Sequence, residues 1–180
     1  MKKLFFIFVF ALFANCFPLA SYPVSSNLIV SSNLINIPAE RGAASANELA
    51  NVIFTAVQTN DFEQLPLYVP TDTELTNLKK QASEDMLAVL EGLTAEAITT
   101  TLKESFETVI REGIGKTLNL SELTLAEVRE GTPNSKNKAL VPVTATLATR
   151  TDQSLPLRFE ALKINGRYFL FQRMAWQSSN

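Results

Sequence analysis

The chain has 180 residues, with 16 basic and 18 acidic side chains, one cysteine and no histidine. Without histidine, neither a Ser-His-Asp triad nor a Cys-His pair can form, and the commonest transition-metal ligand is missing. A single cysteine excludes a disulfide within the chain and a thiolate metal site. The formal net charge of −2 includes no long run of one sign, which excludes a nucleic-acid footprint. We therefore expect no metal, no cofactor and no nucleic-acid partner, and we assign no catalytic residue.

Residues 1–20 are predicted to be a signal peptide. Lys2 and Lys3 precede an apolar run, 4–14, that contains no polar side chain. A membrane-spanning helix needs roughly 20 apolar residues, so this run is too short to span and is typical of a secretory signal. We therefore expect an exported protein of the cell envelope, or a secreted one.

Cys16 follows directly on this apolar region. The stretch 12–16 (LFANC) resembles the lipobox of bacterial lipoproteins, in which the cysteine becomes the lipid-modified first residue of the mature chain. The resemblance implies cleavage before Cys16 and lipidation there, so that the protein lies in the periplasm or at the outer membrane and contacts the membrane only through its N-terminal lipid. The alternative is ordinary cleavage nearby, because Ala14 and Cys16 have the spacing of an A-x-A-like site. That cleavage would discard Cys16 and release a free protein.

The remaining chain divides into a linker and one domain. Residues 21–46 are rich in Ser and Asn, and they are predicted to be a flexible tether. Their near-repeat at 25–36 has too few copies for a solenoid, although its apolar residues could form a short strand on the domain. Residues 47–177 have the length of a single domain.

Apolar residues three and four positions apart predict helices in the first half of this domain. The predicted helices cover 47–60, 71–93 and 94–115. Thr71 and Glu74 have the spacing of a capping box, in which each side chain accepts a hydrogen bond from the other residue's backbone amide. Glycines near residue 115 are expected to end the third helix in a left-handed conformation.

From residue 118 the apolar period changes to two. Strands are predicted at 120–130, 138–149, 155–164 and 167–176. Asn165-Gly166 is a signal for a two-residue hairpin, which would place Lys163 opposite Tyr168. A five-residue turn at 150–154 would place Leu157 opposite Leu147, and the hairpin would place the same Leu157 opposite Met174. The predicted fold is α+β, with N-terminal helices packed on a curved, antiparallel, four-stranded C-terminal meander.

Both faces of this meander carry apolar residues. The second face has Leu162, Ile164, Phe169 and Phe171 beside charged residues, so we expect something to cover it. The cover is either a helix or the 28–35 segment of the same chain, or a second copy in a homodimer formed through the sheet face.

Two short motifs suggest a family. The hairpin 164–170 (INGRYFL), together with the segment 56–62 (AVQTNDF), resembles the nuclear transport factor 2-like superfamily of cystatin-like α+β folds. The resemblance covers about residues 47–176. It implies a cone formed by a curved sheet and its helices, a fold that serves enzymes, binding modules and assembly domains alike.

We expect a non-enzymatic binding or assembly module whose partner is a protein or a small apolar ligand. Four aromatic residues are candidates for a ligand pocket or an interface: Tyr68, Phe169, Phe171 and Trp176. The alternative is a small isomerase- or dehydratase-like enzyme with a carboxylate in the cone-shaped cavity. Asp61, Asp72 and Glu74 are the carboxylates expected near such a cavity, although a helix end accounts for Asp61 and the capping box accounts for Glu74.

Overall fold

The computed structural model describes residues 40–133 and 137–177. In these ranges four α-helices precede a four-stranded antiparallel sheet with the strand order β1-β2-β3-β4, which confirms the predicted α+β class. The elements are α1 (Ala46–Thr59), α2 (Asp72–Lys79), α3 (Glu84–Leu90), α4 (Ala95–Gly115), β1 (Thr124–Glu130), β2 (Leu140–Ala148), β3 (Ser154–Ile164) and β4 (Arg167–Trp176). The predicted signal peptide, Cys16 and the 28–35 segment lie outside the described residues.

Helix α1 begins and ends where side chains and a left-handed residue satisfy its free backbone groups. The Ser45 hydroxyl accepts a hydrogen bond from the Glu48 amide at 3.1 Å, and the Glu48 carboxylate accepts one from the Ala44 amide at 2.9 Å. Asn60 has a φ of 51° and closes the helix, as predicted. The apolar face of α1 is fully buried and consists of Leu49, Ala50, Ile53, Ala56 and Val57.

The helix predicted over 71–93 is two helices. The predicted capping box is present, because the Glu74 carboxylate accepts from the Thr71 amide and the Thr71 hydroxyl accepts from the Glu74 amide. This first helix, α2, ends at Lys79. Ser83 then caps α3 by accepting from the Met86 amide. The single-helix prediction was wrong because a serine followed by two acidic residues is itself a strong helix start.

Helix α4 ends at Gly115, but no glycine supplies its left-handed residue. That residue is Thr117, with a φ of 59°. The amide of Leu118 donates to the carbonyl of Gly113 at 3.1 Å, and the amide of Thr117 donates to that of Ile114 at 2.9 Å. These are the two bonds of a Schellman motif. Gly113 has a packing role instead, since a Cβ there would lie 2.8 Å from the Leu120 side chain.

The β3–β4 hairpin has the predicted turn. Asn165 and Gly166 both have positive φ, 49° and 83°, and Lys163 pairs with Tyr168 as predicted. The preceding turn occupies 149–153 rather than 150–154, so Leu147 pairs with Leu155 and not with Leu157. A shift of two positions keeps every side chain on its predicted face.

Two further strand predictions were wrong in detail. Residues 120–122 form a 3₁₀ turn, and β1 starts only at Thr124. Strand β4 contains two extra residues relative to β3, because Glu160 pairs with Phe171 whereas Arg158 pairs with Ala175. Leu157 consequently lies opposite Trp176 and not opposite Met174.

Residues 40–46 belong to the domain and not to a tether, so the predicted boundary at 47 was too late. Ala43 is fully buried and forms an antiparallel bridge with Tyr168 of β4. The Arg167 guanidinium donates to the carbonyl oxygens of Arg41, at 3.2 Å, and of Gly42. The start of the domain is therefore fixed along the outer edge of β4.

The second face of the sheet is covered by the chain itself. Leu162, Ile164, Phe169 and Phe171 are no more than 4% exposed. A Cβ on Gly42 would lie 2.7 Å from the Phe169 ring, so the start of the domain packs directly on that aromatic side chain. No helix in the described ranges is long and apolar enough to cross a membrane.

Candidate ligand-binding cleft

A cleft of about 570 Å³ lies between the second face of the sheet and the junction of α3 with α4. Five elements contribute to it: the end of α3, the start of α4, and strands β2, β3 and β4. Its apolar wall consists of Val89, Leu93, Ala97, Ile98, Pro142, Phe159, Phe171 and Ala175. Ligand pockets for small molecules typically have volumes of about 300–1,000 Å³ and are mostly apolar. The cleft therefore has the size and lining of a small-molecule site.

The irregular part of β4 forms one side of the cleft. Gln172, the first residue after the Glu160–Phe171 pair, has a φ of 60°, and both Gln172 and Arg173 are exposed. A left-handed conformation at a residue other than glycine costs of order 1 kcal/mol or more, and β-bulges often re-aim side chains next to functional sites. The bulge places Gln172 and Arg173 on the cleft lining.

The charged side chains of the cleft are two arginines, Arg158 and Arg173, and one glutamate, Glu160. Arg158 and Glu160 are two residues apart on β3, so they lie on the same face of the sheet. None of the three forms an ion pair or a side-chain hydrogen bond with another residue in 40–133 or 137–177. The cleft thus has one positive charge in excess and has charged groups without a partner among the described residues.

Of the four aromatic candidates predicted from the sequence, only Phe171 lines this cleft. Phe169 is buried beneath Gly42. Tyr68 is half-buried in the 3₁₀ turn Pro66–Tyr68, away from the cleft. Trp176 is half-buried, and its indole N–H donates to the carbonyl oxygen of Val109 at 2.9 Å, which fixes the end of β4 on α4.

The three carboxylates considered for catalysis act as helix caps. Asp61 accepts from the Glu63 amide at 3.1 Å, Asp72 from the Ala95 amide at 2.8 Å, and Glu74 from the Thr71 amide at 2.7 Å. The described residues do not group the three carboxylates at one site. The expected capping by Glu74 is confirmed, whereas the cap that Asp72 supplies to the start of α4 was not predicted. Among the described residues, no three His, Cys, Asp or Glu side chains are grouped so that they could hold a metal ion.

Sequence reasoning did not identify Arg158, Glu160, Gln172 and Arg173 as site residues. The available signal was the presence of charged residues on a sheet face that also carries Leu162 and Phe171. The cover of this face is incomplete at these positions, because Arg158 and Arg173 are exposed and Glu160 is half-buried, as expected for charged residues without an ion pair in the described ranges.

A scan against protein-family models and a search among curated proteins each found no match to this chain. The likeness to the nuclear transport factor 2-like superfamily therefore stays a prediction based on two short motifs.

Proposed function

We propose that the protein is an exported, non-enzymatic binding module that holds a small apolar ligand in the cleft between the sheet and the α3–α4 junction. The observation that carries this proposal is the joint presence, at one site, of a largely apolar wall and of charged side chains that have no partner within 40–133 or 137–177. Apolar surface supplies the affinity in such sites, and a few polar groups orient the ligand. The capped and paired carboxylates elsewhere in the described chain offer no comparable arrangement.

Binding can be tested with the neutral, environment-sensitive dye Nile red. Ala97 is exposed on α4 and lines the cleft, so that Ala97→Phe would fill part of its volume. Ala88 is exposed on the neighbouring helix α3 but does not line the cleft, and Ala88→Phe is the matched control. We expect saturable binding by the wild type and by Ala88→Phe, with a loss of roughly tenfold or more in affinity for Ala97→Phe. Equal binding by the two variants would overturn the proposed site.

The proposed location is the cell envelope or the surrounding medium. It is supported by the positively charged start and the short apolar run at 4–14. Intact-mass analysis of the protein from its host's membranes and culture fluid tests it. A mature chain that starts at Cys16 and carries a diacylglyceryl group would establish lipid anchoring. An unmodified chain that starts after Cys16 would establish a free exported protein, and retention of the first 20 residues would contradict export through this signal.

One observation favours the alternative of an isomerase- or dehydratase-like enzyme. The Glu160 carboxylate lies in the cleft without a partner in the described chain, where it could accept a proton from a bound carbonyl compound. The test is hydrogen–deuterium exchange at the α-carbons of 2-decanone, followed by NMR in D₂O. Exchange accelerated by the wild type but not by Glu160→Gln would favour the enzyme, whereas equal rates with both proteins would favour the binding module.

A further inference from the structure

Building on the proposed binding function, we infer that the ligand is an amphipathic monoanion, namely an apolar chain or ring that ends in a carboxylate. In this arrangement Arg158 and Arg173 hold the carboxylate, and the wall near Phe171 holds the apolar part. The inference depends on the proposed cleft, but it makes a separate claim about the charge of the ligand.

The charge balance of the cleft is the first argument. Two guanidinium groups face one carboxylate, and none of them has a partner in the described chain. A neutral ligand would leave one positive charge uncompensated, and a dianion would leave one negative charge in excess beside Glu160. A monoanion brings the site to neutrality. Arginine suits this role, because its planar fork matches the geometry of a carboxylate and forms charge-assisted hydrogen bonds.

The position of the bulge in β4 also favours a shared anion between the two arginines. If the pairing of Glu160 with Phe171 continued without interruption, Arg158 would lie directly opposite Arg173. Like charges directly opposite each other destabilise a sheet. In the structure Arg158 pairs with Ala175 instead, which makes Arg173 its diagonal neighbour. Both arginines line the same cleft, so that their long side chains can approach one anion from two neighbouring strands.

The positive charge of the cleft contrasts with the net negative charge of the rest of the molecule. The whole chain has a net charge of −2, and residues 4–180 have −4 once Lys2 and Lys3 are set aside. Large polyanions are therefore repelled by the domain as a whole. A small ligand with a single charge is repelled less, because the Coulomb energy is proportional to the charge of the ligand. The excess positive charge of the cleft therefore favours a small monoanion over a large polyanion.

The test compares decanoate with 1-decanol, which has the same chain length and no charge, as competitors of Nile red on the purified exported chain. We expect decanoate to bind the wild type at least roughly tenfold more tightly than 1-decanol. In Arg158→Gln/Arg173→Gln this preference should fall to about onefold while 1-decanol binds as before. Arg129→Gln, at an exposed arginine of β1 that contacts Glu127 at 2.7 Å, is the matched control and should keep the wild-type preference.

Folding of each variant is checked by the fluorescence of Trp176, the only tryptophan, which lies outside the cleft lining. The single variant Arg173→Gln, at an exposed side chain of the edge strand, serves if the double variant is unstable. It should lose most of the preference for decanoate. Equal affinity of decanoate and 1-decanol for the wild type, or an unchanged preference in the arginine variants, would overturn the inference while Nile red binding still supports the cleft. Failure of all three probes to bind would overturn both proposals.

Discussion

Gly42 is the point at which the start of the domain packs most closely on the second face of the sheet. An ideal Cβ at this residue would lie 2.7, 2.9 and 3.0 Å from three atoms of the Phe169 ring, and its φ is +72°. Phe169 is only 2% exposed, so the ring has little room to move away. Gly42→Ala should therefore destabilise the domain through two separate effects, a strained backbone and a steric clash.

Gly92 separates these two effects. Its φ is +70°, nearly that of Gly42, but a Cβ there would have no atom within 4 Å. Gly92→Ala should cost about 1–2 kcal/mol for the left-handed backbone, less a few tenths of a kcal/mol for the lower entropy of the unfolded chain. Gly42→Ala includes the same terms plus about 1–3 kcal/mol for overpacking. The difference in the free energy of unfolding between the two variants is the quantity predicted.

Urea denaturation followed by Trp176 fluorescence measures this difference. With a urea m-value of about 2 kcal/mol/M, a difference of about 2 kcal/mol lowers the midpoint of Gly42→Ala by about 1 M relative to Gly92→Ala. Phe169→Leu should remove part of the clash, so the double variant with Gly42→Ala should be less destabilised than the sum of the single changes. Equal midpoints for the two glycine variants, together with strict additivity, would refute the packing of residues 40–43 on Phe169.

Three further substitutions test hydrogen bonds that join β4 to α4 or that cap the start of α2. Ser105→Ala should cost about 1–3 kcal/mol in urea denaturation, because the buried hydroxyl accepts from the Met174 amide at 3.3 Å and the substitution removes this acceptor; an effect below about 0.5 kcal/mol would show that water replaces it. Thr71→Ala should cost about 1 kcal/mol by removing the capping box of α2, and an unchanged midpoint would contradict that role. Trp176→Phe should cost about 0.5–1.5 kcal/mol through the lost bond to Val109, measured by circular dichroism, and a neutral result would show that the bond adds nothing net.

Features determined by adjacent residues were predictable from the sequence. The capping box at Thr71 and Glu74 depends on two side chains one helical turn apart. The hairpin at Asn165-Gly166 depends on two residues that accept positive φ. The break before α3 belongs to this class as well, because Ser83 and its acidic neighbours are a local signal that the longer apolar pattern concealed.

The strand register was less predictable, because an error of one residue in the position of a turn becomes an error of two residues in every cross-strand pair. The β2–β3 turn has the predicted length of five residues, but it begins at 149 rather than 150. Moving both ends of a turn by one residue shifts every cross-strand partner by two positions. The alternation of side chains is unchanged by an even shift, which explains why the buried face was predicted correctly while the pairs were not.

One side of the cleft is formed by the bulge in β4, and the sequence indicates this bulge indirectly. Continued pairing from the Asn165-Gly166 hairpin places Arg158 opposite Arg173, and a strand pair is destabilised by two like charges at one position. The chain avoids this conflict with a bulge at Gln172, whose left-handed backbone is itself unfavourable. The left-handed backbone at Gln172 thus replaces the repulsion between the two arginines, and this is accounted for if the separated arginines bind a ligand. A predicted register that sets two arginines against each other on an otherwise apolar face therefore indicates both where the register changes and where an anion is to be sought.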